Sequence, residues 1–227
     1  MRKRKIFLDT PILRRAFIMW INGEDWRQHY KLSSDFELIT SQKNVAEIYG
    51  ILKTNILESD LKVYGLVSSK RFRDMFLDGD DFLNIFWHHQ TLEAMYSIVP
   101  QTDDEQAKRL RALIEWRNKY DRACDDFDGF LEAESIEWVH YGQLFATHEW
   151  QWKIIDLARE TLIPSEDLEI VAAAWFAKSD IFLTDDKNLI RFSFSLGLEP
   201  APIFCAPENL EEKLKEKEAG VITSPKD

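Results

Sequence analysis

Cysteine is scarce in this chain of 227 residues, and long apolar runs are missing. Neither Cys124 nor Cys205 lies in a C-x-x-C pair, which argues against zinc sites and favours reduced thiols over a disulfide scaffold. No apolar run approaches the roughly 20 residues of a membrane helix. The basic start of the chain leads into an apolar run that is broken at Asp9, unlike a signal peptide. We therefore expect a cytoplasmic protein without membrane contact.

Positive charge is also in short supply. Lys and Arg number 29 against 40 Asp and Glu, so the net charge is −11. This balance speaks against binding nucleic acid through bulk charge, and any such contact must be local. The basic residues of segment 2–5, together with Arg14 and Arg15, form one candidate cluster near the first strand. They either meet a nucleic-acid backbone or form a solvated edge.

Short apolar runs alternate with helical patterns along the chain. We predict strands at residues 6–8, 35–40, 138–141, 181–184 and 202–205, with helices between them. Alternation of this kind predicts an α/β fold with a mostly parallel central sheet flanked by helices. In such sheets, sites form beyond the carboxyl ends of the strands.

The predicted domain organisation is simple. We interpret residues 1–206 as one α/β domain and residues 207–227 as a charged, partly disordered tail. Residues 53–134 form an enlarged helical section, a helical insertion in the α/β pattern. The Trp residues at 138, 150, 152 and 175 are predicted to belong to the core.

Acidic residues follow the predicted strands. Asp9 comes directly after the first strand, and Asp185 and Asp186 follow the strand at 181–184. Glu47 and Asp167 fall early in predicted helices. Each has an ordinary structural interpretation as a helix cap, a first-turn acid, a polar turn or a surface residue. Together, they are placed where one parallel sheet would gather them at one edge.

Gathered carboxylates repel one another and raise each other's pKa, and a divalent cation relieves that repulsion. Oxygen ligands suit Mg²⁺ or Mn²⁺. A cation held in this way can activate water for in-line attack on a phosphodiester. No Gly-rich phosphate loop is present, which argues against an enzyme acting on nucleoside triphosphates.

Four short blocks of the sequence resemble the motifs of the PIN-domain nucleases, in the same order. The blocks are FLDTPIL at 7–13, ITS and VAEI within 39–48, DLEIVAAA at 167–174 and TDDKNL at 184–189. The resemblance implies a three-layer α/β/α fold. It also implies that four acids bind one or two metal ions, namely Asp9, Glu47, Asp167 and Asp186. Asp185 is a second candidate at the last position, and Thr10 and Thr184 are expected to orient carboxylates.

The activity implied by the resemblance is endonucleolytic hydrolysis of RNA phosphodiester bonds with Mg²⁺ or Mn²⁺. Single-stranded RNA is the expected substrate. Many proteins of this kind are toxins restrained by a neighbouring antitoxin, and dimers are common among them. An antitoxin or another protein partner and a homodimer are therefore both expectations.

Two alternatives remain open from the sequence. The first alternative to a ribonuclease is a PIN-like interaction module without catalysis. The second is a phosphatase of the haloacid-dehalogenase type, a family that also begins with an Asp after a strand. The phosphatase family needs a second Asp two residues later, where this chain has Pro11. That difference counts heavily against the phosphatase.

Overall fold

The structure is a computed structural model that describes residues 3–63, 105–146, 148–161, 163–192 and 202–218. The chain divides into two compact units. The first comprises Met1–Ile48 and Phe127–Asp227, and the second comprises Tyr49–Asp126. The described parts of the predicted helical section are indeed helical up to Ala133, and residues 64–104 of it lie outside the described residues.

The first unit contains a five-stranded sheet in which every strand is parallel to its neighbours. The strands are β1 (Lys5–Leu8), β2 (Glu37–Ser41), β3 (Ile136–Val139), β4 (Ile181–Leu183) and β5 (Ile203–Cys205). Their order across the sheet is β3-β2-β1-β4-β5. The predicted α/β class, with a parallel sheet flanked by helices in three layers, is confirmed.

The helices connect and cover these strands. In chain order they are α1 (Thr10–Ile21), α2 (Trp26–His29), α3 (Gln42–Val63), α4 (Glu105–Ala133), α5 (Tyr141–Leu144), α6 (His148–Glu160), α7 (Ser165–Phe176), α8 (Lys187–Phe192) and α9 (Leu210–Glu218). Tyr141 begins α5 and does not continue β3 as predicted. The Gln143 side chain accepts a hydrogen bond from the His140 backbone N–H at 3.1 Å, which supports a helix start at this point.

The two central strands are buried along their length. Every residue of β4 is inaccessible, as are Ile6, Phe7 and Leu8 of β1. Continuous apolar runs of this kind are typical of parallel strands that are covered on both faces. Phe7 and Phe182 stack with ring centroids 5.1 Å apart, and Phe204 of β5 stacks on Phe182 at 4.5 Å. Stacked aromatic rings therefore link β1, β4 and β5 across the sheet.

The order of the strands places a switch point between β1 and β4. From β1 the chain moves outward to β2 and β3, and it later returns to β4 on the other side of β1. The connections leave the carboxyl ends of β1 and β4 in opposite directions, which opens a crevice at that edge. This is the edge at which Asp9 and Asp186 follow their strands.

Part of the predicted charged tail is ordered. A short 3-10 turn (Pro207–Asn209) leads into α9, where Leu210 and Leu214 are buried. Residues 219–227 lie outside the described residues. In the described ranges, no helix combines the length and the apolar character needed to cross a membrane.

Candidate active site at the carboxyl edge of the sheet

Asp9 lies at the centre of this edge and is only 5% exposed. Its backbone is extended and forms the N-cap of α1, which confirms the structural role that its position suggests. One carboxylate oxygen accepts a hydrogen bond from the Thr10 N–H at 2.8 Å. The other accepts a hydrogen bond from the Thr184 hydroxyl at 2.6 Å. Asp9 therefore joins the end of β1 to the end of β4.

The pKa of Asp9 is raised from 3.8 to about 6. Burial is the largest cause, because it penalises the charged form. The hydrogen bonds from Thr184 and Thr10 lower the pKa, whereas the negative charges of Asp167 and Glu47 raise it further. The Asp9 carboxylate is thus held in a place where its charge is poorly compensated.

Glu47 is carried by α3 and faces the first residue of α1. Its carboxylate accepts a hydrogen bond from the Thr10 hydroxyl at 2.5 Å. The two threonines therefore act as expected, since Thr10 holds Glu47 and Thr184 holds Asp9. Each carboxylate oxygen of Asp9 accepts one hydrogen bond, which leaves it a lone pair for a further partner.

Buried polar side chains fix α3 against the end of β1. The Leu8 carbonyl accepts hydrogen bonds from the Thr40 hydroxyl at 2.9 Å and from the Asn44 amide at 3.0 Å. The Ser41 hydroxyl accepts the Asn44 N–H at 3.1 Å, so Ser41 is the N-cap of α3. Thr40 and Asn44 were not predicted. Because Asn44 is fully buried and polar, it fixes the angle at which α3 presents Glu47.

Asp167 lies in the first turn of α7 and is half-buried. Its pKa is raised, first by burial and then by the charge of Asp186, with smaller contributions from Glu166 and Glu47. The ammonium group of Lys43 on α3 opposes this effect. The charge of Asp167 also raises the pKa of Asp9. Asp167 is therefore electrostatically coupled to carboxylates from three other elements, namely Asp9, Glu47 and Asp186.

The structure separates the two adjacent acids after β4. Asp185 forms an ion pair with the Arg15 guanidinium of α1 at 2.7 Å. Asp186 caps α8, where it accepts the Asn188 N–H at 2.7 Å, and its charge acts on Asp167. The carboxylates grouped by mutual electrostatics are therefore Asp9, Glu47, Asp167 and Asp186. Hereafter they are called the acidic group.

The acidic group is a chemical match for a hard divalent cation. It offers only carboxylate oxygens, and the raised pKa of Asp9 reflects burial first and then repulsion by Asp167 and Glu47, a repulsion that a cation would relieve. The four carboxylates do not converge on one position at which an ion could bind. Across the described ranges, no three Asp, Glu, His or Cys side chains lie close enough together to hold a metal ion as they stand.

A tyrosine that the sequence did not single out lies beside the acidic group. The Tyr141 hydroxyl donates to the Glu169 carboxylate at 3.2 Å, and its N–H donates to the Gln42 side chain at 2.8 Å. Burial raises the pKa of Tyr141 to about 12, and the charges of Glu169 and Glu47 add to the effect. Tyr141 was not predicted as a site residue because it was assigned to the strand at 138–141. The sequence feature that could have indicated a further polar contact here is Glu169, two residues after Asp167.

Among the described residues, the basic side chains Lys5 and Arg15 of the predicted cluster lie at opposite edges of the sheet. Lys5 begins β1 and pairs with Glu37 at 2.7 Å, at the amino end of the strand. Four residues of strand, about 13 Å, separate it from the carboxyl end. Arg15 lies at the carboxyl edge, where it pairs with Asp185. The prediction of a single cluster was wrong because the strand separates residues that are close in sequence.

Comparison of this chain with models of protein families, with curated proteins and with solved structures found no match. The family resemblance therefore depends on the four sequence blocks, and the case for a function depends on the geometry of the site.

Proposed function

We propose that this chain is a metal-dependent endoribonuclease of the PIN type, which hydrolyses phosphodiester bonds of single-stranded RNA at the acidic group. One observation carries the proposal: four carboxylates from separate elements couple at the switch point of a parallel sheet, and the most buried of them has its pKa raised to about 6. Perturbed carboxylates in such a crevice are typical of active sites.

The proposed cofactor is Mg²⁺ or Mn²⁺, held by Asp9, Glu47, Asp167 and Asp186. When bound, the ion would supply an activated water and would neutralise charge on the phosphodiester. The donor set supports a hard cation, since every candidate ligand is an oxygen.

The residues of the chain prepare this site. Thr184 and Thr10 hold Asp9 and Glu47 through hydroxyl hydrogen bonds, which fixes the orientation of both carboxylates. Lys43 and Arg15 place positive charge beside Asp167 and Asp185. These cations favour binding of a phosphate beside the acidic group. They also oppose the repulsion of RNA that is expected from a net charge of −11.

The test is cleavage of labelled oligonucleotides by purified protein. Single-stranded RNA, double-stranded RNA and single-stranded DNA are incubated with Mn²⁺ or with EDTA. We expect cleavage of single-stranded RNA that requires Mn²⁺ and is abolished in Asp9→Asn. Glu211→Gln is the matched control, because it removes an exposed carboxylate on α9 and is expected to leave cleavage unchanged.

Equal cleavage by the wild type and Asp9→Asn, in matched preparations, would contradict the proposal. Binding of RNA or of a protein without any cleavage would favour the interaction module. An acid-stable phosphoenzyme would favour the phosphatase.

The remaining expectations belong to the same proposal. A cytoplasmic location is supported by Cys124 and Cys205, neither of which forms a disulfide bond. A restraining antitoxin and a homodimer are proposed on the resemblance alone. Size-exclusion chromatography with light scattering tests the homodimer.

A further inference from the structure

Exposed aromatic side chains lie at the carboxyl end of β3 and along α5. Trp138 and Phe145 are each 37% exposed, His140 is exposed and Tyr141 is half-buried. We call these four residues the aromatic rim. They form two pairs: Trp138 and His140 have ring centroids 4.4 Å apart, and Tyr141 and Phe145 have centroids 6.0 Å apart.

The rim is tied to both helices that carry the acidic group on this side. The Tyr141 N–H is bonded to Gln42, the first residue of α3, which also carries Glu47. The Tyr141 hydroxyl is bonded to Glu169 of α7, two residues beyond Asp167. These two contacts fix Tyr141, and with it the start of α5, at the same edge of the sheet as the acidic group.

The strand register leads to the same placement. Trp138 of β3 pairs with Thr40 of β2, one residue before the carboxyl ends of both strands. Since β2 pairs with β1 in the same direction, Trp138 and Asp9 belong to one edge of the sheet.

The sequence predicted that the tryptophans at 138, 150, 152 and 175 belong to the core. That prediction is wrong for Trp138 and for Trp152, which is 56% exposed because its side of α6 faces solvent. Trp175 is buried and packs against Trp150 at 5.1 Å, as expected of core residues. Trp138 leaves more than a third of its surface in water, and its ring partner His140 is itself exposed. Adjacent exposed rings beside a polar crevice are typical of a surface that binds planar ligands.

We propose that the aromatic rim stacks the nucleobases of single-stranded RNA next to the phosphodiester that is cleaved. The inference rests on the proposed function, and it names the part of the substrate that this edge recognises. Stacking on an aromatic face does not require positive charge, which suits a protein with a net charge of −11. The bases of a duplex have no free faces, so the rim also selects single strands.

This mode of binding predicts a shallow salt dependence. Lys43, Arg15 and Lys187 are cations that the structure places at the acidic edge, and three phosphate contacts to a single strand give a log–log slope no steeper than about −2.1. A protein that binds RNA mainly through charge has a much steeper slope.

The test measures binding apart from cleavage. Fluorescence anisotropy of a labelled single-stranded RNA of about ten nucleotides is recorded in EDTA, so that no turnover occurs. The same strand with two adjacent abasic nucleotides, placed at successive positions, serves as the second probe. The variants are Trp138→Ala and Phe145→Ala, and circular dichroism checks that each is folded.

Ile21→Ala is the control, because Ile21 is 53% exposed but lies at the far end of α1, about 17 Å along the helix from Thr10. It removes an exposed apolar side chain without touching the rim. Its Kd is expected to match that of the wild type.

We expect each rim variant to raise the Kd for intact RNA about 5- to 100-fold, the loss of one stacked base. The abasic strand that binds most weakly lacks two bases, so it should bind the wild type at least as poorly as intact RNA binds either variant. With Mn²⁺ the rim variants should raise KM more than they lower kcat. Equal Kd values for the wild type and both rim variants, or equal affinity for every abasic strand and the intact strand, would overturn the proposal.

The two proposals fail in different ways. If the wild type cleaves no RNA but its binding depends on the rim and on the bases, the proposed function fails and the stacking surface stands. If cleavage depends on Asp9 but binding ignores the rim, the stacking surface fails alone.

Discussion

Charged side chains are compensated at the amino ends of β1 and β4 but not at their carboxyl ends. At the amino ends, each anion meets a hydrogen-bond donor or a cation. Asp180 accepts the Lys5 N–H at 2.9 Å and pairs with Lys217 at 2.9 Å, and the Lys5 ammonium pairs with Glu37 at 2.7 Å. These contacts join β1, β2, β4 and α9 at that edge.

At the carboxyl ends, carboxylates face one another. Asp9 is almost fully buried among the charges of Asp167 and Glu47, and Asp167 in turn faces Asp186. A buried charge without a full partner costs free energy of folding, so a fold keeps one where function requires it. The amino edge therefore compensates its charges, whereas the carboxyl edge leaves carboxylates facing one another, which is the repulsion that the proposed divalent cation would relieve.

The largest expected effect separates the two acids that follow β4. Asp186→Asn should lower the rate of RNA cleavage on the order of a hundred- to a thousandfold, as when one charge-stabilising group is removed from an active site. Asn also caps helices well, so α8 should remain intact. The measurement is single-turnover cleavage with Mn²⁺.

Asp185→Asn is the matched control for this experiment. It breaks only the ion pair with the exposed Arg15, worth less than about 1 kcal/mol, and should change the rate less than about tenfold. If Asp185→Asn is the more damaging change, the assignment of the acidic group is wrong at this position.

The second effect concerns stability against pH. Folded, metal-free protein keeps Asp9 protonated up to about pH 6, whereas the unfolded chain ionises it near 3.8. The free energy of unfolding should therefore fall by about 3 kcal/mol as the pH rises through this window. In EDTA, Asp9→Asn should be more stable than the wild type above about pH 7, and this advantage should vanish near pH 4.

Urea unfolding at a series of pH values measures this difference. A wild type that is as stable as Asp9→Asn at every pH would mean that the Asp9 carboxylate is well compensated.

At the amino edge, removing a carboxylate is expected to lower the stability of the protein, whereas Asp9→Asn should raise it. Asp180→Asn loses charge-assisted hydrogen bonds to Lys5 and Lys217 and should lower the free energy of unfolding by about 1–3 kcal/mol. The cleavage rate per folded molecule should not change. A gain in stability, or a loss of cleavage in the folded variant, would contradict the claim that the charges of the amino edge stabilise the fold and take no part in cleavage.

Much of the fold was predictable because its signals are local. The continuous apolar runs at 6–8 and 181–183 mark buried parallel strands, and the alternation with helices dictates parallel connections. Ser41 could be identified as an N-cap because its hydroxyl serves the next turn of the same chain.

The remaining features depend on contacts between distant segments. Asp185 and Asp186 are neighbours in the sequence, and the position of Arg15 on α1 decides which of them is paired. Tyr141 was predicted to end a strand, and its tie to Glu169 depends on how α5 packs near α7. The exposure of Trp138 is likewise invisible in the sequence, since a tryptophan on a strand is buried only if another element covers it.

The most direct test of the carboxyl edge is thermal unfolding of the wild type and Asp9→Asn at about pH 7.5, in EDTA and with Mn²⁺ at about 100 times its Kd. In EDTA the variant should melt higher, because it lacks the poorly compensated charge. Mn²⁺ should raise the Tm of the wild type by about 5–10 °C and leave the variant unchanged, so that the advantage of the variant disappears. Equal shifts in both proteins, or no shift in either, would contradict the claim that the acidic group is held for a divalent cation.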